Sequence, residues 1–219
     1  PGPTQLSNAV SVTRWSQLWR ISNDVWDNWK AVRQQFDYCR DWARYAGPGH
    51  WPDADMLPLG RLCVRGFKDV PRLSRLTHDE QITLMTLWSI FRSPLMMDGD
   101  LPTSDQFTLS LLTNPEVIAV DQASTGDHEL FRDGDKIAWI SSTADGLARY
   151  VALFNIGDQP AEVSVSSKQI GLDPTHCTVR NLWQRKGLGG FKGNFSVRLN
   201  PHGAGLYEFS MAGGMPGGK

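Results

Sequence analysis

The sequence predicts two halves of different class: an α/β segment with parallel strands, then an all-β antiparallel domain. Three observations carry that prediction. Short extended stretches alternate with helical patterns through the first half. After Thr125, strands follow one another directly, separated by turn residues. Aspartates recur where each of the first three extended stretches ends. The chain has 219 residues, enough for one large domain or two small ones. Lys and Arg number 22 against 23 Asp and Glu, so charge points to no nucleic acid, acidic partner or anionic membrane. No apolar run reaches the ~18 residues of a membrane span. The opening "PGPTQLSNAV" lacks the basic and apolar regions of a signal peptide, although a cleaved signal would leave secretion open.

Taken in order, Trp19 to Asn23 reads as a short strand. In "DVWDNWKAVRQQFDYCRDWARYAG", apolar residues recur at Val25, Trp29, Val32, Phe36, Cys39 and Trp42. Steps of three and four make one apolar helix face, and Gly47 and Pro48 are its stop signals. "HWPDADMLPLG" is a second extended stretch. "THDE", Thr77 to Glu80, fits a capping box for a helix from about Asp79 to Phe91. "SPLMMDGD" reads as a buried third strand ending in two aspartates. "QFTLSLLTNPEVIAVDQ" adds a short helix, a turn and an apolar run. Then come the strands "ELFRDGDKIAWISST", "ARYVALFNIG", "AEVSVSS", "CTVRNLWQRK" and "NFSVRLNPHGAGLYEFS". Turns are expected at Asp133-Gly134-Asp135, Gly157-Asp158, Gly189-Gly190 and Asn200-Pro201, and the spacing implies an antiparallel sandwich. The expected units are residues 1–126, residues 127–211 and a glycine-rich flexible tail, 212–219.

Cys39, Cys63 and Cys177 fit no zinc spacing and are read as buried small apolar residues. Trp139 and Trp183 lie in apolar patterns and are read as core. His78, inside the capping box, is read as structural.

Side chains alternate along a strand, so an extended 19–24 would put Arg20, Ser22 and Asp24 on one face. A guanidinium and a carboxylate would then emerge together at a strand's C-terminal end, where α/β barrels build active sites. Asp53 and Asp55 repeat the device, and Asp98 and Asp100 follow the third stretch. Other readings stay open at this level. Asp24 could cap its helix, Arg20 and Asp24 could be a plain ion pair, and "PDAD" could offer hard oxygens to a cation.

Four stretches then carry a resemblance. "WRISNDVWDNW", "AGPGHWPDADMLPLG", "LWSIFRSPLMMDGDL" and "NPEVIAVDQ" are similar, in order and separation, to glycoside hydrolase family 27, the α-galactosidase and α-N-acetylgalactosaminidase group. The resemblance implies the C-terminal part of a (β/α)8 TIM barrel, about strands 6–8, followed by an antiparallel β-sandwich. It implies a retaining hydrolase without cofactor or metal, acting on galactosides. It places the acid/base on Asp24, sugar binding on Arg20, Asp55 and Met56, and supporting roles on Trp51 and Asp53. It further implies that strands 1–5 and the nucleophile lie outside this sequence, so the chain alone would have little activity and would need the N-terminal half of the barrel. The compartment is not fixed by the residues, and the resemblance implies the secreted, periplasmic or lysosomal settings common among such relatives. N-acetylgalactosamine and β-L-arabinopyranose stand beside galactose as substrate sugars. A non-catalytic carbohydrate-binding fragment is the competing class, and would need an exposed row of tryptophans.

Overall fold

A computed structural model of the chain describes residues 2–65, 69–173, 175 and 177–211. The flexible tail expected at 212–219 lies outside the described residues.

The α/β half begins with α1 (Ala9–Trp15), which sequence patterning does not single out, and the strand β1 (Leu18–Arg20). Helix α2 (Trp29–Trp42) then crosses to β2 (Trp51–Asp53). β1 and β2 pair in parallel, with Leu18 opposite Trp51 and Arg20 opposite Asp53. Val32, Phe36, Cys39 and Trp42 are buried on α2, so the apolar spacing identifies the inner face correctly. The helix starts later than the pattern suggests. Its cap is Asn28, whose side chain accepts from Ala31 N, which removes helix capping as an explanation for Asp24.

After β2 the short strands β3 (Arg61–Leu62) and β4 (Arg72–Leu73) form a two-stranded ribbon. Helix α3 (His78–Phe91) carries the capping box as expected: Thr77 accepts from Glu80 N, and Glu80 accepts from Thr77 N. His78 stacks on Phe107 with ring centroids 3.8 Å apart, a packing role. The third strand is a correction. "SPLMMDGD" forms only an isolated parallel bridge, Leu57 to Met97, and Met96 and Asp98 are exposed. An apolar run becomes a strand only where backbone partners continue it. Here the backbone bonds to neighbouring segments are scattered, Leu57 N to Met96 O, Asp98 N to Leu57 O and Asp100 N to Arg61 O, and do not run on as a ladder. Gly99 passes close beneath this rim: a Cβ there would sit 2.1 Å from Leu59 O. Helices α4 (Gln106–Leu112) and α5 (Pro115–Ala123) complete the half, so the apolar run after Asn114 is helical, with Pro115 in its first turn.

The all-β half contains β5 (Thr125–Asp133), β6 (Lys136–Ser142), β7 (Ala148–Asn155), β8 (Ala161–Ser166), β9 (Cys177–Asn181), β10 (Lys186–Gly190), β11 (Asn194–Leu199) and β12 (Ala204–Met211), with the short helix α6 (Ser167–Ile170) after β8. One sheet has the order β10-β9-β12-β7-β6-β5, and a second pairs β11 with β8. All these pairings are antiparallel. Gly189-Gly190 is not a turn but part of the exposed edge strand β10, because its backbone pairs with Val179 and Thr178. The larger sheet is covered on both faces. Ala138, Ile140, Val151 and Leu153 face the small sheet, while Ile137, Trp139, Ala152 and Phe154 join the core shared with the α/β half. Phe36 of α2 packs edge-on against Phe154 at 5.0 Å. Trp139 is fully buried, but Trp183 lies beyond β9 and only partly in the core, donating from Nε1 to Thr86 Oγ1 at 2.9 Å.

Cys39 and Cys177 are buried and Cys63 is not: it is half-exposed, in a left-handed turn at φ 59°. All three are free thiols, and burial, with Asp127 and Glu129 nearby, pushes the Cys39 thiol up.

Candidate active site

The site grows from the C-terminal ends of β1 and β2. Ile21 N donates to Asp53 O at 2.9 Å, which prolongs the ladder one residue past β1. The chain then turns. Ser22 is buried with its hydroxyl on Ala54 O at 3.3 Å, so the single face expected for 20, 22 and 24 is broken at the turn. Asp24 lies on the following loop with its side chain 64% exposed.

Asp55 is the centre of the group. Its backbone is left-handed at φ 85°, and its side chain is only 7% exposed. Oδ1 takes an ion pair from Arg20 Nη1 at 2.7 Å, and Oδ2 accepts from Val25 N at 2.6 Å. The Asp55 N–H donates to Asp53 Oδ1 at 2.8 Å, and its carbonyl accepts from Trp88 Nε1 at 2.8 Å. Arg20 sends Nη2 to Ser22 O at 3.1 Å and reaches Asp24 Oδ1 at 3.5 Å.

Asp53 is buried, and burial pushes its carboxyl up against the opposing pull of the Asp55 N–H and Arg20. The carboxyl of Asp98, though its residue is exposed, is also raised, first because neighbouring groups displace part of its hydration and then by the negative charges of Asp55 and Asp27. Met56 is half-buried beside Asp55. Trp51 is not brought to the group. It starts β2, opposite Leu18, with the Arg92 guanidinium 4.7 Å above its ring. Asp100 accepts from Thr103 Oγ1 at 2.6 Å and is tied to a turn.

Three contributors are not evident from the sequence. Trp88 donates to the Asp55 carbonyl and the Ser93 hydroxyl accepts from Ala54 N at 3.0 Å, so together they hold the backbone of 54–55. Asp27, buried, forms a paired contact with Arg72 and accepts from Arg75 N at 2.8 Å, tying β4 to the loop that carries Asp24. The aspartate three residues past Asp24 is visible in "NDVWDNW" as a further acidic group, but its partner lies 45 positions away and no local pattern names it.

Two cavities open on these loops. One of about 440 Å³ is lined by Arg61, Cys63, Arg65, Asp98 and Asp100 among others, and one of about 410 Å³ by Trp26, Asp27, Cys63, Asp69 and Arg72. Neither is lined by Arg20, Asp24 or Asp55. Among the described residues no group of three or more His, Cys, Asp or Glu could hold a metal ion, and in "PDAD" both Asp55 oxygens and Asp53 Oδ1 are taken by Arg20 and by backbone donors.

Comparison with known proteins adds to this geometry. Residues 2–123 match the family model described as alpha galactosidase A, and residues 133–209 match that of the alpha galactosidase C-terminal beta sandwich domain. The chain is 30% identical over 195 residues to alpha-galactosidase 2 of Arabidopsis thaliana, covering 88% of this chain and 46% of that protein. It is 42% identical to a GH27 β-L-arabinopyranosidase from Geobacillus stearothermophilus, with a TM-score of 0.92 over 98% of this chain and 49% of that one. A variant of that enzyme, solved in complex with arabinose, gives 41% and 0.91. The chain thus spans about half the length of the relatives it matches. Two family models in sequence, a partial barrel and a sandwich place this chain in the α-galactosidase A family, glycoside hydrolase family 27.

Proposed function

We propose that this chain supplies the acid/base side of a retaining exo-glycosidase that removes a terminal sugar of galactose ring configuration. The observation that supports it is the convergence of Arg20, Asp24 and Asp55 at the C-terminal ends of two parallel strands. In a retaining reaction one carboxyl protonates the leaving oxygen and then deprotonates the incoming water, while a second, about 5 Å away, forms the glycosyl-enzyme bond. Asp24 fits the first of these roles, because it is exposed, on a loop, and uses little of its hydrogen-bonding capacity inside the protein. Asp55 does not fit the second, since both its oxygens are engaged. The nucleophile in this reading comes from the part of the fold that the relatives have and this chain does not span. Arg20 and Met56 face the sugar, and Asp53 supports the strand end. The division between barrel and sandwich falls near residue 127.

α-D-Galactoside is the substrate that the α-galactosidase relatives suggest. β-L-Arabinopyranoside, which has the same ring configuration, is favoured by the 42% identity to the arabinopyranosidase. The chain is expressed with and without the preceding barrel strands and assayed on aryl α-D-galactoside and aryl β-L-arabinopyranoside. Turnover only with both parts, lost on Asp24→Ala, supports the reading, and the ratio of kcat/KM values chooses the sugar. Sugar binding that survives Asp24→Ala and Arg20→Ala would refute it in favour of a binding module.

A further inference from the structure

We propose that Asp55 is a positioning residue, which holds the Arg20 guanidinium off the Asp24 carboxyl, and not a sugar-binding group. The inference deepens the reading above and rests on it for the role of Asp24. Every polar group of Asp55 is already used within the protein. Its N–H goes to Asp53 at 2.8 Å, its carbonyl takes Trp88 Nε1 at 2.8 Å, and its two carboxylate oxygens take Arg20 at 2.7 Å and Val25 N at 2.6 Å. With 7% of the side chain exposed, little of it is left for a substrate hydroxyl.

Those same bonds set the geometry around Asp24. Val25 N is the backbone donor next to Asp24, so Asp55 anchors the acid's own loop. The short charge-assisted bond to Asp55 fixes the guanidinium plane, and Nη2 meets Asp24 only at 3.5 Å, the outer limit of a hydrogen bond. Arg20 and Asp24 already lie within ion-pair range, so without Asp55 as competitor the guanidinium is free to close on Asp24. A guanidinium in direct contact stabilises the carboxylate form, which suits a proton donor badly. The other charges at this end are Asp53 and Asp98, both close enough to Asp55 to act on or be acted on by it, and the Asp27–Arg72 pair on the far side of the loop.

Asp55→Asn tests this in the enzyme complete with its preceding barrel strands. Asparagine tolerates the left-handed backbone at φ 85° and keeps one oxygen to accept from Val25 N, while its NH2 cannot accept from Arg20 and the charge is lost. A crystal structure of the variant is expected to show Arg20 closing on Asp24 to about 2.8 Å, the length of a charge-assisted bond. The alkaline limb of the kcat/KM profile is expected to move to lower pH, the direction that a guanidinium closing on the acid imposes. The rate should fall about tenfold or more for a poor leaving group and much less for an activated aryl glycoside, which needs little protonation. In an Arg20→Leu background Asp55→Asn should move neither quantity further, since its effect passes through Arg20. The proposal is overturned if the variant keeps the wild-type Arg20–Asp24 distance, or if it raises KM equally in both backgrounds with the pH limb unmoved, as a direct sugar contact would. Absence of turnover in the unmodified enzyme would count against the catalytic reading, while the crystallographic distance would still decide the positioning claim.

Discussion

In β6 and β7 nearly every side chain is buried on one face of the sheet or the other, and each strand pairs along its whole length with two neighbours. β1 and β2 are three residues each, pair only with one another, and lead into loops full of aspartate. The best-packed strands and the candidate site therefore lie in different places. The sandwich pairs its strands within itself and offers its second face to the helices α2 and α3. The barrel segment leans on that face for its core and leaves its strand ends to hold charged groups. Catalytic-type groups are costly to bury, so they collect where the fold leaves strand ends free and a well-packed neighbour carries the stability.

Phe154→Ala challenges this division of labour most strongly. Phe154 is fully buried in β7 and meets Phe36 of α2. Its loss should cost about 3–5 kcal/mol and lower the denaturation midpoint of both halves together, measured by tryptophan fluorescence and far-UV circular dichroism. Separate transitions would mean that the barrel segment does not depend on the sandwich. The next effect is on pH. Burial lifts Asp121 to about 7 and Asp127 to about 6 from 3.8, so the folded state binds more protons than the unfolded chain across roughly pH 4 to 7. Their contribution is fully present below that window and is lost as pH rises through it. Stability at pH 8 should be lower than at pH 5 by about 2–4 kcal/mol, and Asp121→Asn with Asp127→Asn should flatten that slope.

His202 probes the seam between the two halves. Its Nδ1 lies 2.8 Å from Glu80 Oε1 and its Nε2 2.9 Å from Asp158 Oδ1, and its ring stacks on Trp29 at 4.0 Å. Thr83 Oγ1 donates to its carbonyl at 2.6 Å. His202→Ala should cost about 1–2 kcal/mol and broaden the thermal transition, because it loosens α2 and α3 from the sandwich without opening either core. Asn28→Ala, which removes the cap of α2, should cost about 1 kcal/mol in chemical denaturation and leave the sandwich strands unaffected by hydrogen exchange.

Much of the architecture is legible locally. The Thr77–Glu80 capping box, the inner face of α2 and most strands of the sandwich follow from short-range rules and from periodicity. The departures share one cause. The run at residues 95–97 looks like a buried strand, and Gly189-Gly190 looks like a turn, because composition describes what a residue prefers and not which backbone lies beside it. Cys63, expected in the core, instead occupies a left-handed turn.

The candidate site divides in the same way. The two classes of half, the family, and the aspartates and arginine that gather at the strand ends are all written in the linear order of residues, since spacing and motif are properties of the chain. How those charges are shared is set by the folded arrangement. Asp55 gives its oxygens to Arg20 and Val25, Asp24 stays exposed with Arg20 at 3.5 Å, and Asp27 is taken by Arg72. Which opposite charge a carboxylate meets depends on distances between segments far apart in the chain, and a linear pattern carries no record of them.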